Sequence, residues 1–205
     1  MVLGAVILLD AGATDRRAGA RITQGVGHDR AVSSPPRIGI VDYANVAPLV
    51  AGLDPATLRR GVPSRVADWL ATGEVDLAML PAIELARMPG VKVVPGWGIA
   101  ADGRCDSVLL FSSRALPAVR TCALDASSRT SSALVRVLLD REGARGVRWL
   151  RLGEGSLAER LERADAALLI GDPALRAVEP DGVTRFDLAA EWKRHVGLPF
   201  VFACW

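Results

Sequence analysis

From Arg37 onward, short apolar runs alternate with amphipathic stretches, and this rhythm confines the chain to an α/β fold built on largely parallel sheets. RIGIV reads as a strand, DYANVAPLVAGL as a turn leading into a short helix, and SRVADWLATGE as an amphipathic helix with Val66, Trp69 and Leu70 on one face. VDLAML is a continuous apolar run of the kind found in strands covered on both sides. PAIELARM reads as a short helix opened by Pro81, and VKVVPGWGI as the next extended segment. A second unit follows: SVLLFSS, RTCALD, a helix from the SSRTS segment, VRWLRL, the helix SLAERLERA, and DAALLIGD. In such folds ligands sit at the carboxyl ends of strands, beside the following helix starts. DYANVAP, the LPA segment, DASSRTS and IGDPAL occupy those positions, although Gly171, Asp172 and Pro173 also suit a plain turn with a helix start.

The segment Thr121 to Leu139, TCALDASSRTSSALVRVLL, carries the strongest functional signal. Ser127, Ser128, Thr130 and Ser131 crowd a helix start, where unpaired backbone N–H groups and the positive end of the macrodipole favour a carboxylate or phosphate. The alternative is that one of these hydroxyls caps the helix.

Composition narrows the rest. The 205 residues are half apolar, enough for one large or two small domains. The net charge is +2, with basic residues scattered rather than gathered, and aromatics make up only 5%, which argues against nucleic acid. Cys105, Cys122 and Cys204 show no metal or redox spacing and fit buried thiols in a reducing compartment. The two histidines, His28 and His195, form no evident metal site or nucleophile pair, so a histidine base requires the fold to carry His195 into the site. Residues 1–36 read as a poorly ordered extension. VLGAVILL is too short to span a membrane, and it lacks the preceding positive charge of a secretory leader.

The set RIGIVDYANVAPLV, GEVDLAMLP, GIAADGRCDSVLLFSS, LDASSRTSSALVRVLL, ADAALLIGDPAL and FDLAAEWKRHVGLPFVFACW resembles the chorismate dehydratase family of the futalosine route to menaquinone. The resemblance implies a fold like the type II periplasmic binding proteins: two α/β lobes joined by crossing strands, with the ligand in the cleft. Residues 37–112 would form the first lobe, 113–198 the second, and 199–205 the returning crossing strand, SVLLFSS being the outgoing one. The implied reaction is a hydro-lyase step on chorismate. The ring proton at the carbon bearing the enolpyruvyl ether is taken, the neighbouring hydroxyl leaves, and 3-[(1-carboxyvinyl)oxy]benzoate forms. In the family the substrate's own enolpyruvyl carboxylate is the base, which agrees with the lack of a histidine candidate. No cofactor or metal is implied, and the resemblance places the chain in the cytoplasm with neither membrane nor nucleic acid as partner.

Carried over by motif, the catalytic residues are Asn45 and Ser107, each with a structural alternative, a left-handed turn residue and a strand hydroxyl. The substrate-binding set is Ser127, Ser128, Arg129, Thr130, Ser131 and Asp172. Arg129 either pairs with a substrate carboxylate or braces the helix against an acid such as Asp172. The sequence departs from the family pattern at Ala82, where a hydroxyl is usual, and at Ala44, where a larger apolar residue is usual. The family continues past the returning strand, so the first lobe is expected to expose an apolar face open to self-association. A non-catalytic binding module for a small carboxylate, and a sister enzyme of the same pathway, remain as alternative functions.

Overall fold

The computed structural model describes residues 34–153 and 155–205, with Ala44 and Asn45 described by their backbone alone. Residues 1–33 of the expected extension lie outside the described residues. Strand β1 (Ile38–Val41) is buried along its whole length, as a continuous apolar run between two neighbours should be. Those neighbours are parallel: β2 (Leu58–Gly61) on one side and, after helix α1 (Pro63–Ala71), β3 (Leu77–Ala78) on the other. Proline at the first position pre-sets the φ of α1, whose inner face buries Val66, Ala67 and Trp69.

VDLAML is not one strand. β3 ends at Ala78, and β4 (Leu80–Pro81) resumes after Met79, because the two halves pair with different partners. PAIELARM is a tight 3-10 turn, Ala82–Ala86, rather than an α-helix. Of VKVVPGWGI, only the end is a strand, β5 (Gly98–Ala101). Val93, Val94 and Trp97 before it are exposed at 46%, 41% and 45%.

Strand β6 (Val108–Ser112) crosses into a second sheet with β7 (Thr121–Asp125), and helix α2 (Thr130–Arg141) then leads to β8 (Arg148–Leu152). Helix α3 (Leu157–Arg163) precedes β9 (Ala166–Ile170), helix α4 (Asp172–Arg176) precedes β10 (Thr184–Asp187), and helix α5 (Leu188–Val196) leads to β11 (Phe200–Cys204). The second sheet runs β8-β7-β9-β6-β10, with β6 antiparallel to both its neighbours. β11 lies antiparallel between β4 and β5, so the first lobe, read through Leu77–Pro81, runs β2-β1-β3/β4-β11-β5. Each lobe therefore holds three parallel strands, then one antiparallel strand delivered by a crossing, then a last strand. The expected boundary after residue 112 needs correction, since Val108–Ser112 pairs with β9 and β10 and belongs to the second sheet.

Each lobe has its own core. Ile40, Val46, Val66, Trp69, Met79 and Leu80 pack in the first. Leu110, Leu124, Leu134, Leu138 and Leu168 pack in the second, with α2 contributing residues at helical spacing. No helix among the described residues is long and apolar enough to cross a membrane.

One carboxylate ties the second sheet together at the end away from the cleft. Asp165, just before β9, accepts N–H bonds from Arg120 and Thr121 at 2.9 Å each and one from the Arg114 guanidinium at 2.8 Å. Burial alone would raise its pKa, but these donors outweigh burial and hold the carboxyl below its usual range. Because the folded value is the lower one, the contribution is present at neutral pH and lost as pH falls through the folded pKa. Asp165→Asn is expected to cost about 2 kcal/mol, lowering the melting temperature at pH 7 by roughly 4–8 °C. The gap to wild type should close in acid, and thermal unfolding across pH checks both.

Candidate functional site

The chain turns out of β1 through Asp42 and Tyr43 into the 3-10 helix Ala44–Leu49, which places Asn45 in its first turn. Val46, 1% exposed, anchors that turn in the first core. Tyr43 packs against both cores and thus spans the two lobes. Its ring lies so close to Gly171 that a Cβ there would stand 3.2 Å from Tyr43 Cε1. Gly171 in turn donates its N–H to the Ser107 carbonyl at 2.7 Å. The Tyr43 phenol lies close enough to the Ser127 side chain for the hydroxyl to influence its titration. Burial raises the phenol pKa, the nearby Ser127 side chain opposes this, and the Asp125 and Asp172 charges add to it, so Tyr43 remains a neutral donor at physiological pH.

Gly171 thus lies between the Tyr43 ring and the Ser107 carbonyl, with the Ser127 side chain and the Asp172 charge near the phenol. Asp172 itself pairs with Arg176 at 3.5 Å. Ser107 is half-buried at the entry to β6. It follows Asp106, the one non-glycine residue with positive φ (56°) among the described residues. That strained turn is held by Asp187, whose Oδ2 accepts from the N–H groups of Cys105 (2.9 Å) and Asp106 (2.7 Å) while Oδ1 caps α5 through Ala189 and Ala190 (3.0 Å each).

The hydroxyl cluster does not cap its helix. The residue preceding α2 is Arg129, with no side-chain cap bond, so the first-turn N–H groups keep no capping partner from that residue. Ser127 donates its backbone N–H (2.9 Å) and its hydroxyl (2.6 Å) to Asp125. Ser128, Thr130 and Ser131 are buried. The Thr130 hydroxyl accepts from the Ile83 N–H of the first lobe at 3.3 Å, which leaves its own proton to donate.

Arg129 does not meet Asp172. It reaches the first lobe, with Nη2 on Asp68 of α1 at 2.7 Å and Nη1 on Glu84 at 3.2 Å. Partial burial would lower its pKa, but the two carboxylates outweigh this and hold the guanidinium above its ordinary value. Beside Arg129 a groove of about 750 Å³ opens between α1 and Ile83–Met88 on one side and Leu124–Arg129, α2 and Arg151 on the other. Ser128 and Arg129 line it. Its size suits a small ligand.

His195 is not carried into the site. Its Nε2 meets Glu142 at 2.7 Å, at the far end of α2. Glu142, Glu191 and His195 bring ligand-type atoms within 4.8 Å of one another, but the Arg194 guanidinium already bonds both carboxylates. All three cysteines are free and buried, and burial pushes the Cys105 thiol up to about 11 and Cys122 up to about 12, so neither offers a thiolate. Sequence reasoning missed Tyr43, Asp68, Glu84 and Asp187. The one available signal was that Tyr43 is the chain's single tyrosine, set in a loop at a strand's carboxyl end.

Two lobes of like strand order, crossed twice, with polar residues gathered where they meet, define a type II binding-protein fold. A crystal structure of a protein from Archaeoglobus fulgidus shares it, with a TM-score of 0.57 at 14% identity over 82% of this chain and 66% of that one. Residues 36–205 match the menaquinone biosynthesis family, and the chain belongs to that family. It is 37% identical to the chorismate dehydratase of Thermus thermophilus, over 83% of this chain and 69% of the relative. It is 31% identical to that of Campylobacter jejuni, over 80% of this chain and 64% of the relative. The chain thus spans about two thirds of the length of these curated relatives.

Proposed function

We propose that this chain is a chorismate dehydratase, a hydro-lyase that converts chorismate to 3-[(1-carboxyvinyl)oxy]benzoate and water in menaquinone biosynthesis. The 37% identity to the Thermus thermophilus chorismate dehydratase carries the reading. The start of α2, with Ser128, Thr130 and Ser131, binds one substrate carboxylate through its uncapped N–H groups and hydroxyls. Asn45 and Ser107 act on the departing hydroxyl and stabilise the charge that develops there. Tyr43, held neutral, donates beside Ser127 and closes the cleft over the ring. The substrate's enolpyruvyl carboxylate takes the ring proton, the C–O bond to the neighbouring hydroxyl breaks, that proton ends on the departing oxygen as water, and aromatisation drives the step. Protein groups then need only orient the substrate and stabilise charge, which suits a site where the histidine lies elsewhere. The biosynthetic role puts the protein in the cytoplasm.

Incubation of the purified protein with chorismate, followed by absorbance and mass, should yield an aromatic product lighter than substrate by one water. Protein that is folded by circular dichroism and binds chorismate without consuming it would replace this reading with a binding module.

A further inference from the structure

We propose that Arg129 is the latch that holds the two lobes closed, and so a positioning residue for the Ser127–Ser131 segment rather than a substrate ligand. The inference rests on the dehydratase reading for its kinetic part and on geometry for the rest. Arg129 stands at the start of α2 in the second lobe, yet both ion pairs of its side chain lie in the first, to Asp68 and Glu84 at 2.7 and 3.2 Å. The adjoining Thr130 is pinned to the same turn by the Ile83 N–H. Three polar contacts thus fasten one helix start across the lobe boundary.

Two observations separate a latch from a ligand. The first is commitment: Nη1 and Nη2, the fork that would grip a carboxylate side-on, are already on two protein carboxylates. The second is Glu84, whose side chain is 4% exposed. A buried carboxylate needs a cation, and its other partner, Arg87, is 60% exposed at a distance of 3.5 Å and therefore weakly coupled. Arg129 is the principal compensation for Glu84 among the described residues. Separating the lobes would break this pair together with the packing of Tyr43 against Gly171 and the second core, so latch and site close as one movement.

The test is a double-mutant cycle of Arg129→Gln and Glu84→Gln, read by chorismate kinetics and by thermal unfolding. Arg129→Gln strands Glu84 and displaces the helix start, so kcat/KM should fall roughly a hundredfold. Removing the stranded charge as well should restore most of that loss. Unfolding temperatures should be non-additive in the same sense, with the double variant above Arg129→Gln. Should Arg129→Gln fail to fold, Arg129→Lys takes its place: it keeps one charge and loses the fork, and it too should be rescued by Glu84→Gln. A double variant as inactive as Arg129→Gln, with the defect in KM and additive unfolding temperatures, would make Arg129 a substrate ligand and overturn the proposal. If wild type leaves chorismate untouched, the dehydratase reading fails alone. The unfolding cycle then still decides the latch, since additivity rejects it and coupling upholds it.

Discussion

Asn45→Ala should lower kcat with chorismate by about 10²- to 10³-fold while KM moves far less, the pattern left by a lost transition-state donor. Asn45 sits in the first turn of the 3-10 helix Ala44–Leu49, where the carboxyl end of β1 opens into the cleft. Two residues earlier Tyr43 lies against Gly171 and packs on both cores, so the backbone at Asn45 is carried to the junction of the lobes. An amide there both donates and accepts without adding charge, which suits a leaving hydroxyl beside a dianionic substrate. Steady-state kinetics beside thermal unfolding make the check. Wild-type kinetics in the variant would remove Asn45 from the mechanism, and a parallel fall in melting temperature would mark it as a turn residue.

The parts of the fold legible in the sequence are those set by local burial. RIGIV, SVLLFSS, RTCALD and DAALLIGD became β1, β6, β7 and β9, because a strand covered on both faces needs an unbroken apolar run. The strands that escaped are at sheet edges. β2 reads LRRG and β10 reads TRFD, both with exposed arginines, because an edge strand has one side in water and tolerates charge. VDLAML hid its break at Met79 because the cause is a change of partner, from β1 to β11, more than a hundred residues away in sequence. The same non-locality moved SVLLFSS from the first lobe to the second sheet.

The site divides along the same line. The hydroxyl run from Ser127 to Ser131 was readable because helix starts have their own chemistry. The partner of Arg129 was not, for Asp68 and Glu84 belong to the other lobe and no spacing rule links them to α2. Asp187 escaped for a related reason. An acid before an apolar helix reads as a cap, and half of its carboxylate does cap α5, while the other half holds the turn before Ser107.

Gly171→Ala should cost both stability and activity, and only the second loss should be specific to this position. The residue lies at φ 64°, ψ −145°, a region open to glycine and closed to side chains, so alanine there costs about 1–3 kcal/mol and roughly 2–12 °C in melting temperature. The added methyl would stand 3.2 Å from the Tyr43 ring, which must yield by a few tenths of an ångström. The N–H of the same residue fixes the Ser107 carbonyl at 2.7 Å, so the shift reaches Tyr43 and Ser107 together. For a site whose action is orientation, about 1 Å of misplacement is worth about 10²-fold, so a shift of a few tenths should lower kcat/KM by roughly 3- to 10-fold. Gly182→Ala is the control, with a φ of 74° and nothing within 4 Å of its Cβ. It should lower the melting temperature comparably while leaving kcat/KM unchanged. Equal kinetic losses in the two variants would reduce Gly171 to a strained turn and take the Tyr43 contact out of the catalytic geometry.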